Sequence, residues 1–205
     1  MVDSIPERSE REREVAESAL LFLNMEMAQS IRARVGLEAA LMQLNLMGFS
    51  TGARLATRLT TARFPFVNER TALRFVCKEV WATLFRKGAD RLQTDNRGFY
   101  VVQDQRFRWL ESLSPPPDGG RHSNAERDAE LHEAAMLHLA LPCGIIRGVL
   151  MGVGIESTVT AEVAVTELPA CNFAVCVKRP EEPARPEEPP RPEESMRTEE
   201  PTRPE

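Results

Sequence analysis

The fold is decided by the stretch Leu92-Gln93-Thr94-Asp95-Asn96-Arg97-Gly98-Phe99-Tyr100-Val101-Val102-Gln103. Before it, apolar residues recur with the period of an α-helix. From here on they alternate with polar residues, as in a half-buried strand. The turn-forming residues Asp95 to Gly98 separate the two short runs, which is typical of a β-hairpin. The sequence therefore predicts helices before Gly88 and strands directly after it.

Three helical segments are predicted ahead of the hairpin. Apolar residues follow helical spacing from Leu20 to Ile31 and again from Leu37 to Leu44. The glycine and the hydroxyl groups of Gly48-Phe49-Ser50-Thr51 are expected to end this helix and to cap the next one. A further helix with a broad apolar face is expected to begin after Asn68 and to end at Lys87-Gly88.

The second half of the chain contains both strand and helix patterns. Arg106-Phe107-Arg108-Trp109 alternates charge with aromatic residues and is interpreted as a half-buried strand. A helix is expected from Asp128 to Leu141, with Pro142 either kinking it or starting a second segment. Two alternating strands, Glu156 to Val165 and Cys171 to Val177, have a connection short enough for an antiparallel return. The predicted fold class is α/β of the α+β type, an antiparallel sheet packed against helices.

The composition is that of one modest folded domain. The chain has 205 residues, of which 42% are hydrophobic, and this leaves room for a single core. That domain is expected to span residues 18–178, with an exposed loop insertion at 113–127. Residues 1–17 are charged and predicted to be disordered. Disorder is also predicted for residues 179–205, where a six-residue repeat of Arg, Pro and Glu denies helices and sheets their backbone donors.

Charge and hydropathy exclude several classes of protein. The net charge is −5, without the basic stripe that a phosphate backbone requires, so nucleic acid is not an expected partner. The first 18 residues fit neither a signal peptide nor a transit peptide, so a cytoplasmic location is expected. The best candidate for a membrane span, Leu137 to Ile155, is interrupted by Pro142 and Arg147. We interpret it as a buried helix of the core.

The thiols and histidines do not form a metal-binding pattern. Four cysteines occur without a C-x-x-C pair, and they are interpreted as small apolar core residues: Cys77, Cys143, Cys171 and Cys176. Because Cys171 and Cys176 are an odd number apart in a predicted strand, they should face opposite sides of the sheet. His132 and His138 are six apart, do not share a helical face, and are expected at the surface. No metal, cofactor or disulfide is predicted.

The sequence contains one stretch that matches a catalytic motif. Gly48-Phe49-Ser50-Thr51-Gly52 matches the G-x-S-x-G nucleophile elbow, in which the serine lies on a sharp turn between a strand and a helix. Here a helix is predicted before Ser50, and no strand is predicted in the first 90 residues. Helix capping by Ser50 and Thr51 is therefore the favoured interpretation, with a serine hydrolase using Ser50 kept as an alternative.

A ridge of glycines is predicted on the helix that follows the loop. Gly144, Gly148 and Gly152 recur every four residues, so they share one helical face. A face without side chains allows close approach of a neighbouring element, and the ridge is interpreted as a packing device. Arg147 on the same segment is interpreted as a cation at the helix rim.

Several separated blocks occur in a specific order along the chain. They are Phe75-Val76-Cys77-Lys78-Glu79-Val80-Trp81, Thr94 to Asp104, Cys143-Gly144-Ile145-Ile146-Arg147-Gly148, Ser157 to Val163, and Leu168-Pro169-Ala170-Cys171-Asn172-Phe173. This set resembles the small core subunits of TRAPP, the transport protein particle of early secretory traffic, and most closely the subunit-six type. The resemblance extends from about Leu20 to Val177.

The resemblance implies an assembly protein. Such a subunit would pair with another TRAPP small subunit as a heterodimer, join other TRAPP subunits in vesicle tethering between endoplasmic reticulum and Golgi, and support a Rab-type GTPase indirectly. It would be cytoplasmic and peripheral on Golgi and ER-derived membranes, and not an enzyme. The family's dimer contact lies on the N-terminal helices, where the predicted interface residues are Leu20, Leu23, Met27, Ile31, Leu41 and Leu44.

Two further expectations follow from the comparison with that family. The family member that carries a fatty acyl chain holds it on a cysteine just before its third helix, where this chain has Arg63-Phe64-Pro65-Phe66-Val67. Without a thiol there, no acylation is expected. A lipid or small-ligand carrier, using the interior between helices and sheet, remains the other non-enzymatic alternative.

Overall fold

The computed structural model describes residues 17–60, 66, 68–114 and 123–178. The predicted disordered segments therefore lie outside the described residues, except for Glu17, which begins the first helix. The centre of the predicted loop, 115–122, also lies outside them. So does the acylation-related segment, apart from Phe66.

Five α-helices and four strands make up the described chain. The helices are α1 (Glu17–Val35), α2 (Leu37–Thr60), α3 (Glu69–Phe75), α4 (Trp81–Phe85) and α5 (Asn124–Gly152), with a π-helical turn, Val76–Val80, between α3 and α4. The strands are β1 (Arg91–Thr94), β2 (Phe99–Asp104), β3 (Ser157–Glu162) and β4 (Cys171–Val177), with a 3₁₀ turn, Val165–Glu167, before β4.

The four strands form one antiparallel sheet in the order β1-β2-β4-β3. Thr94, Tyr100 and Val175 are direct neighbours across three strands, and Val159 continues the same row on β3. Side chains in this row point to the helical side, where Tyr100 and Val175 are buried. The predicted α+β fold class is confirmed, as are the hairpin and the strand at Cys171–Val177.

The core lies between this sheet and α5. Trp81, Phe85, Phe107 and Phe173 are almost completely buried and meet in tilted or edge-to-face ring contacts. α5 is the one helix in the described chain with the length and composition of a membrane span, yet 72% of its most apolar window is buried inside the domain. It is a core helix, packed against α2 and against the sheet.

The first two helices are joined at Gly36 and lie beside α5. Gly36 separates them with φ +81°, a left-handed conformation that glycine adopts without strain, and its N–H donates to the Arg32 carbonyl at 2.9 Å. Arg32 also forms an ion pair with Glu133 of α5. A second apolar cluster holds the three helices together: Ala28, Ile31, Ala40, Leu44, Leu137 and Ala140.

The expected helix end at Gly48-Phe49-Ser50-Thr51 is wrong, because α2 continues without a break to Thr60. Gly48 and Gly52 lie where α2 crosses α5, and both are fully covered by that helix. The low helix propensity of glycine is offset here by backbone-to-backbone packing.

The expected strand Arg106-Phe107-Arg108-Trp109 is also wrong, because these residues form turns. Phe107 and Trp109 are buried, whereas Arg106 is exposed and Arg108 is half-buried. The alternation of charge with aromatic residues therefore arises from a turn that inserts two rings into the core. The Phe107 N–H donates to the Pro169 carbonyl at 3.1 Å, which fixes the turn against the β3–β4 connection.

Three helix and strand boundaries differ from the expectation. α5 begins at Asn124 rather than Asp128, since Ser123 and Glu126 form a capping box, so the loop insertion ends at residue 123 and not at 127. Pro142 lies inside α5, which continues to Gly152, so the alternative of a second segment starting there is wrong. β3 ends at Glu162 rather than Val165, because the 3₁₀ turn begins at Val165.

Candidate partner interface

Large apolar side chains are exposed on the first two helices. Phe22 and Leu23 on α1 are 65% and 66% exposed, and Met42 and Leu46 on α2 are 64% and 60% exposed. Met42 and Leu46 are four residues apart, so they lie on the same side of α2. Together with Leu20 and Met47 they form what we call the exposed apolar set: Leu20, Phe22, Leu23, Met42, Leu46 and Met47.

The six residues predicted from the sequence are divided by the structure into three groups. Leu20 and Leu23 are exposed. Met27 and Leu41 are half-buried and pack against the second apolar cluster. Ile31 and Leu44 are 3% and 1% exposed and belong to that cluster. In this conformation the last two hold α1, α2 and α5 together and offer no surface to a partner, so the expected partner role does not suit them.

Sequence reasoning missed the outward residues of α2. Met42 and Leu46 lie two positions beyond the buried residues Ala40 and Leu44, which places them on the opposite side of the helix. The signal was present as a second apolar stripe. It was hidden because the residues of the two stripes alternate within one short segment, Ala40 to Met47.

The glycine ridge predicted on α5 is confirmed, and it meets a second ridge on α2. A Cβ added to Gly144 would overlap the carbonyl oxygen of Asn45 and lie 2.9 Å from the backbone nitrogen of Phe49. A Cβ added to Gly52 would lie 2.9 Å from the backbone of Val149. Such contacts are too short for a real side chain, so the crossing is a close packing of two backbones.

Arg147 lies at the edge of this crossing. Its guanidinium is 4.9 Å from the centre of the Phe49 ring, in a cation–π contact between α5 and α2. The side chain is half-buried, which agrees with the predicted position at the helix rim.

Ser50 is an exposed residue inside α2, and no described residue before it is in a strand. The sharp strand-to-helix turn of a nucleophile elbow is therefore missing. His138, expected at the surface, is instead 2% exposed, and neither of its ring nitrogens has a hydrogen-bond partner. Burial lowers the pKa of His138, so the ring is neutral. Because neither ring nitrogen of His138 has a hydrogen-bond partner, this histidine does not serve Ser50 as a general base.

The buried thiols are also unsuited to catalysis. Burial raises the pKa of Cys77 to about 11 and that of Cys143 to about 12, so both are protonated at neutral pH. Cys171 is buried and Cys176 is exposed, which confirms that they face opposite sides of the sheet. Within the described ranges, no group of three or more His, Cys, Asp or Glu residues has a metal-binding arrangement.

The interior between helices and sheet is filled rather than hollow. The rings of Trp81 and Phe173 lie 5.4 Å apart and occupy the space that a carrier would keep for its ligand. One surface groove of about 450 Å³ is bordered by apolar residues that include Leu110 and Pro169 and by the charged residues Arg106 and Glu111, and these two charges do not suit an acyl chain. The carrier alternative therefore has no supporting observation in the described chain.

Comparisons with known proteins agree with the architecture. Residues 7–178 match the family model described as transport protein particle (TRAPP) component. Trafficking protein particle complex subunit 6B of Homo sapiens is 35% identical over 168 residues, which cover 80% of this chain and 98% of the relative. Subunit 6A of Homo sapiens is 38% identical over 144 residues, covering 70% and 82% of the two chains.

A solved structure shares the fold. The crystal structure of a trafficking protein particle complex subunit 3 from Naegleria fowleri, covalently bound to palmitic acid, superimposes with a TM-score of 0.62 over 78% of this chain and 94% of that chain. Its sequence identity is 14%, so this likeness shows the fold alone. With the family model and the relatives above, it follows that the chain belongs to the TRAPP component family and is of the subunit-six type.

Proposed function

We propose that the chain is a non-catalytic scaffold subunit of a TRAPP vesicle-tethering complex. The observation that carries the proposal is the exposed apolar set on the first two helices of a chain that matches the TRAPP family over its folded part. Single exposed apolar residues are common on protein surfaces, but six large ones on two adjacent helices are typical of a surface that another protein covers.

In this proposal the exposed apolar set is the contact with another TRAPP small subunit. Covering one large apolar side chain contributes about 1.5–3 kcal/mol to association, so a few such residues are sufficient for a stable pair once the entropic cost of binding is met. Ile31 and Leu44 act indirectly, because they hold α1 and α2 together and so keep the outer residues in place.

The finer parts of the proposal come from the family resemblance. The assembled complex would tether vesicles in ER-to-Golgi and Golgi traffic and support nucleotide exchange on a Rab-type GTPase. The chain would be cytoplasmic and reach Golgi and ER-derived membranes as a peripheral component of that complex. The relatives named as subunits of a trafficking particle support this role.

The test is a double substitution within the exposed apolar set. Leu23→Glu with Leu46→Glu places two charges where the partner would bury them, and each uncompensated charge opposes binding strongly. The variant is co-expressed with each of the other TRAPP small subunits in turn, and the complex that the wild type forms is measured by sedimentation and circular dichroism. We expect full helical signal and loss of the heterodimer, because both residues are exposed in the free chain.

Two controls make the result specific. Met151→Glu changes a side chain that is 51% exposed on α5, outside the set, and should leave the heterodimer intact. Ile31→Glu places a charge in the core and should reduce the helical signal itself. A heterodimer that survives the double substitution at wild-type affinity contradicts the proposed interface.

A further inference from the structure

A basic groove lies between the third helix and the edge strand of the sheet. It has a volume of about 210 Å³ and is lined on the helical side by Arg70, Arg74 and Lys78 and on the strand side by Arg91. Tyr100 forms part of its wall. We call these residues the basic groove. None of its lining residues belongs to the first two helices or to the exposed apolar set.

The four cations of the basic groove are exposed and form no ion pair with any described residue. The nearby carboxylates already have other hydrogen bonds. Asp90 accepts a hydrogen bond from the backbone N–H of Gln105 at 2.7 Å, and Glu69 accepts one from the hydroxyl of Tyr100 at 3.2 Å. Asp90 also lines the groove, so four cations face one carboxylate there. The remaining surplus of positive charge favours an anionic occupant.

The chain itself continues as an acidic segment. Residues 179–205 contain nine glutamates and five arginines, a net charge of −4. Eight of the glutamates occur as adjacent pairs, the first two being Glu181-Glu182 and Glu187-Glu188. Their charge is opposite to that of the groove.

The chain leaves the sheet close to the basic groove. The backbone N–H of Val177 donates to the Gly98 carbonyl at 2.8 Å, so β4 ends beside the start of β2. Thr94, which lines the groove, belongs to the same end of the sheet and lies two strands away from β4. Two strand spacings are about 10 Å, and a chain can span at most about 3.3–3.6 Å per residue. Four residues beyond Val177 are therefore enough chain to span this distance.

We propose that the acidic segment after Lys178 binds in the basic groove of its own chain, with Glu181-Glu182 and Glu187-Glu188 facing Arg70, Arg74, Lys78 and Arg91. The pairs are equivalent, so neighbouring pairs exchange with one another in the groove. Exposed ion pairs of this kind are individually weak and are screened by salt. The contact therefore covers the groove reversibly and is displaced by a stronger anion.

The experiment measures the approach of the segment to the groove in the full-length chain. Cys176 is replaced by serine, because it is the one exposed cysteine among the described residues, and Ala184→Cys carries a nitroxide spin label between the two glutamate pairs. Nuclear magnetic resonance then records the paramagnetic broadening of backbone amides. We expect selective broadening at residues 70–78, reduced at least about twofold when added salt shortens the Debye length well below 8 Å.

A charge-reversal variant and its matched control decide the outcome. Arg70→Glu with Arg74→Glu should reduce the broadening at residues 70–78 at least about twofold, since the groove then repels the segment. Arg34→Glu with Arg54→Glu makes the same change in net charge on α1 and α2 and should leave it unchanged. The proposal is overturned if the broadening is absent in the wild type, or if it is equal in the two variants. The groove would then be expected to bind an anionic partner from outside the chain.

Discussion

Trp81 donates its indole N–H to a carboxylate oxygen of Asp104 at 2.8 Å, and this bond joins the start of α4 to the end of β2 inside the core. The carboxylate also forms an ion pair with Lys87 and accepts the backbone N–H of Arg106 at 3.0 Å. Asp104 is 1% exposed, so it is a charge held in the interior by three donors.

Removing this carboxylate should be strongly destabilising. In Asp104→Ala the indole and ammonium donors lose their partner while they stay largely covered, and we expect a loss of about 3–5 kcal/mol in the free energy of unfolding. Urea denaturation followed by circular dichroism measures it. Trp81→Phe keeps most of the packing and loses one bond, so about 1–3 kcal/mol is expected. An Asp104→Ala variant as stable as wild type would show that the bonds carry no net stability.

Where the glycines of α2 and α5 meet, a glycine-to-alanine substitution should have the opposite effect on stability from that in most helices. Glycine-to-alanine changes inside helices usually stabilise by about 1 kcal/mol. Gly144→Ala should instead destabilise by about 1–3 kcal/mol, because the new methyl group meets the backbone of Asn45 and Phe49. Urea denaturation measures this change too, with Gln43→Ala at an exposed position of α2 as the control. Stabilisation by Gly144→Ala would mean that α2 and α5 do not meet at these glycines.

Ser50→Ala should change neither stability nor chemistry. The side chain is exposed in the middle of α2, so we expect a change within about 0.5 kcal/mol in the free energy of unfolding. A chromogenic ester assay on the purified wild type should give only background hydrolysis. Turnover that is present in wild type and lost in Ser50→Ala would restore the hydrolase alternative.

His138 should make stability depend on pH. Burial lowers its pKa below the ordinary value of 6.5, so below pH 6.5 the unfolded chain takes up a proton that the folded chain does not. The free energy of unfolding should therefore fall as the pH is lowered from 6.5 toward the folded-state pKa. Urea denaturation at a series of pH values should show this slope in wild type and in His132→Leu, but a flatter one in His138→Leu. Equal slopes in all three proteins would assign the effect to other groups.

Local patterns were sufficient for the hairpin and for β4, but not for the turn around Phe107 or for the faces of the helices. The turn at Asp95 to Gly98 and the alternation of β4 depend on residues near in sequence, so they were predicted. The turn around Phe107 depends on a bond to Pro169, which is distant in the chain. For Ile31 and Leu44, a side chain that faces the chain's own core has the same composition as one that faces a partner, and only the packing of α5 distinguishes them.

The basic groove was also hidden from sequence reasoning. Arg70, Arg74 and Lys78 look like ordinary solvent-facing residues of one helix, and the fourth cation comes from a strand. The acidic balance of the whole chain gives no indication of a local surplus of positive charge. Such a site becomes visible only when the edge of the sheet is placed beside the helix.

The π-helical turn at Val76–Val80 has a consequence for the direction of these cations. In an α-helix, residues four positions apart drift around the axis by about 40° at each step, so three of them form a slanting line. A π-helical turn, bonded from i to i+5, rotates less per residue and reverses that drift. The turn covers only part of the step from Arg74 to Lys78, so that step should add less to the drift that α3 produces between Arg70 and Arg74. The widened turn thus reduces the rotation of these positive charges around the helix axis. An extended anionic chain can contact them with less twist than a regular helix would require.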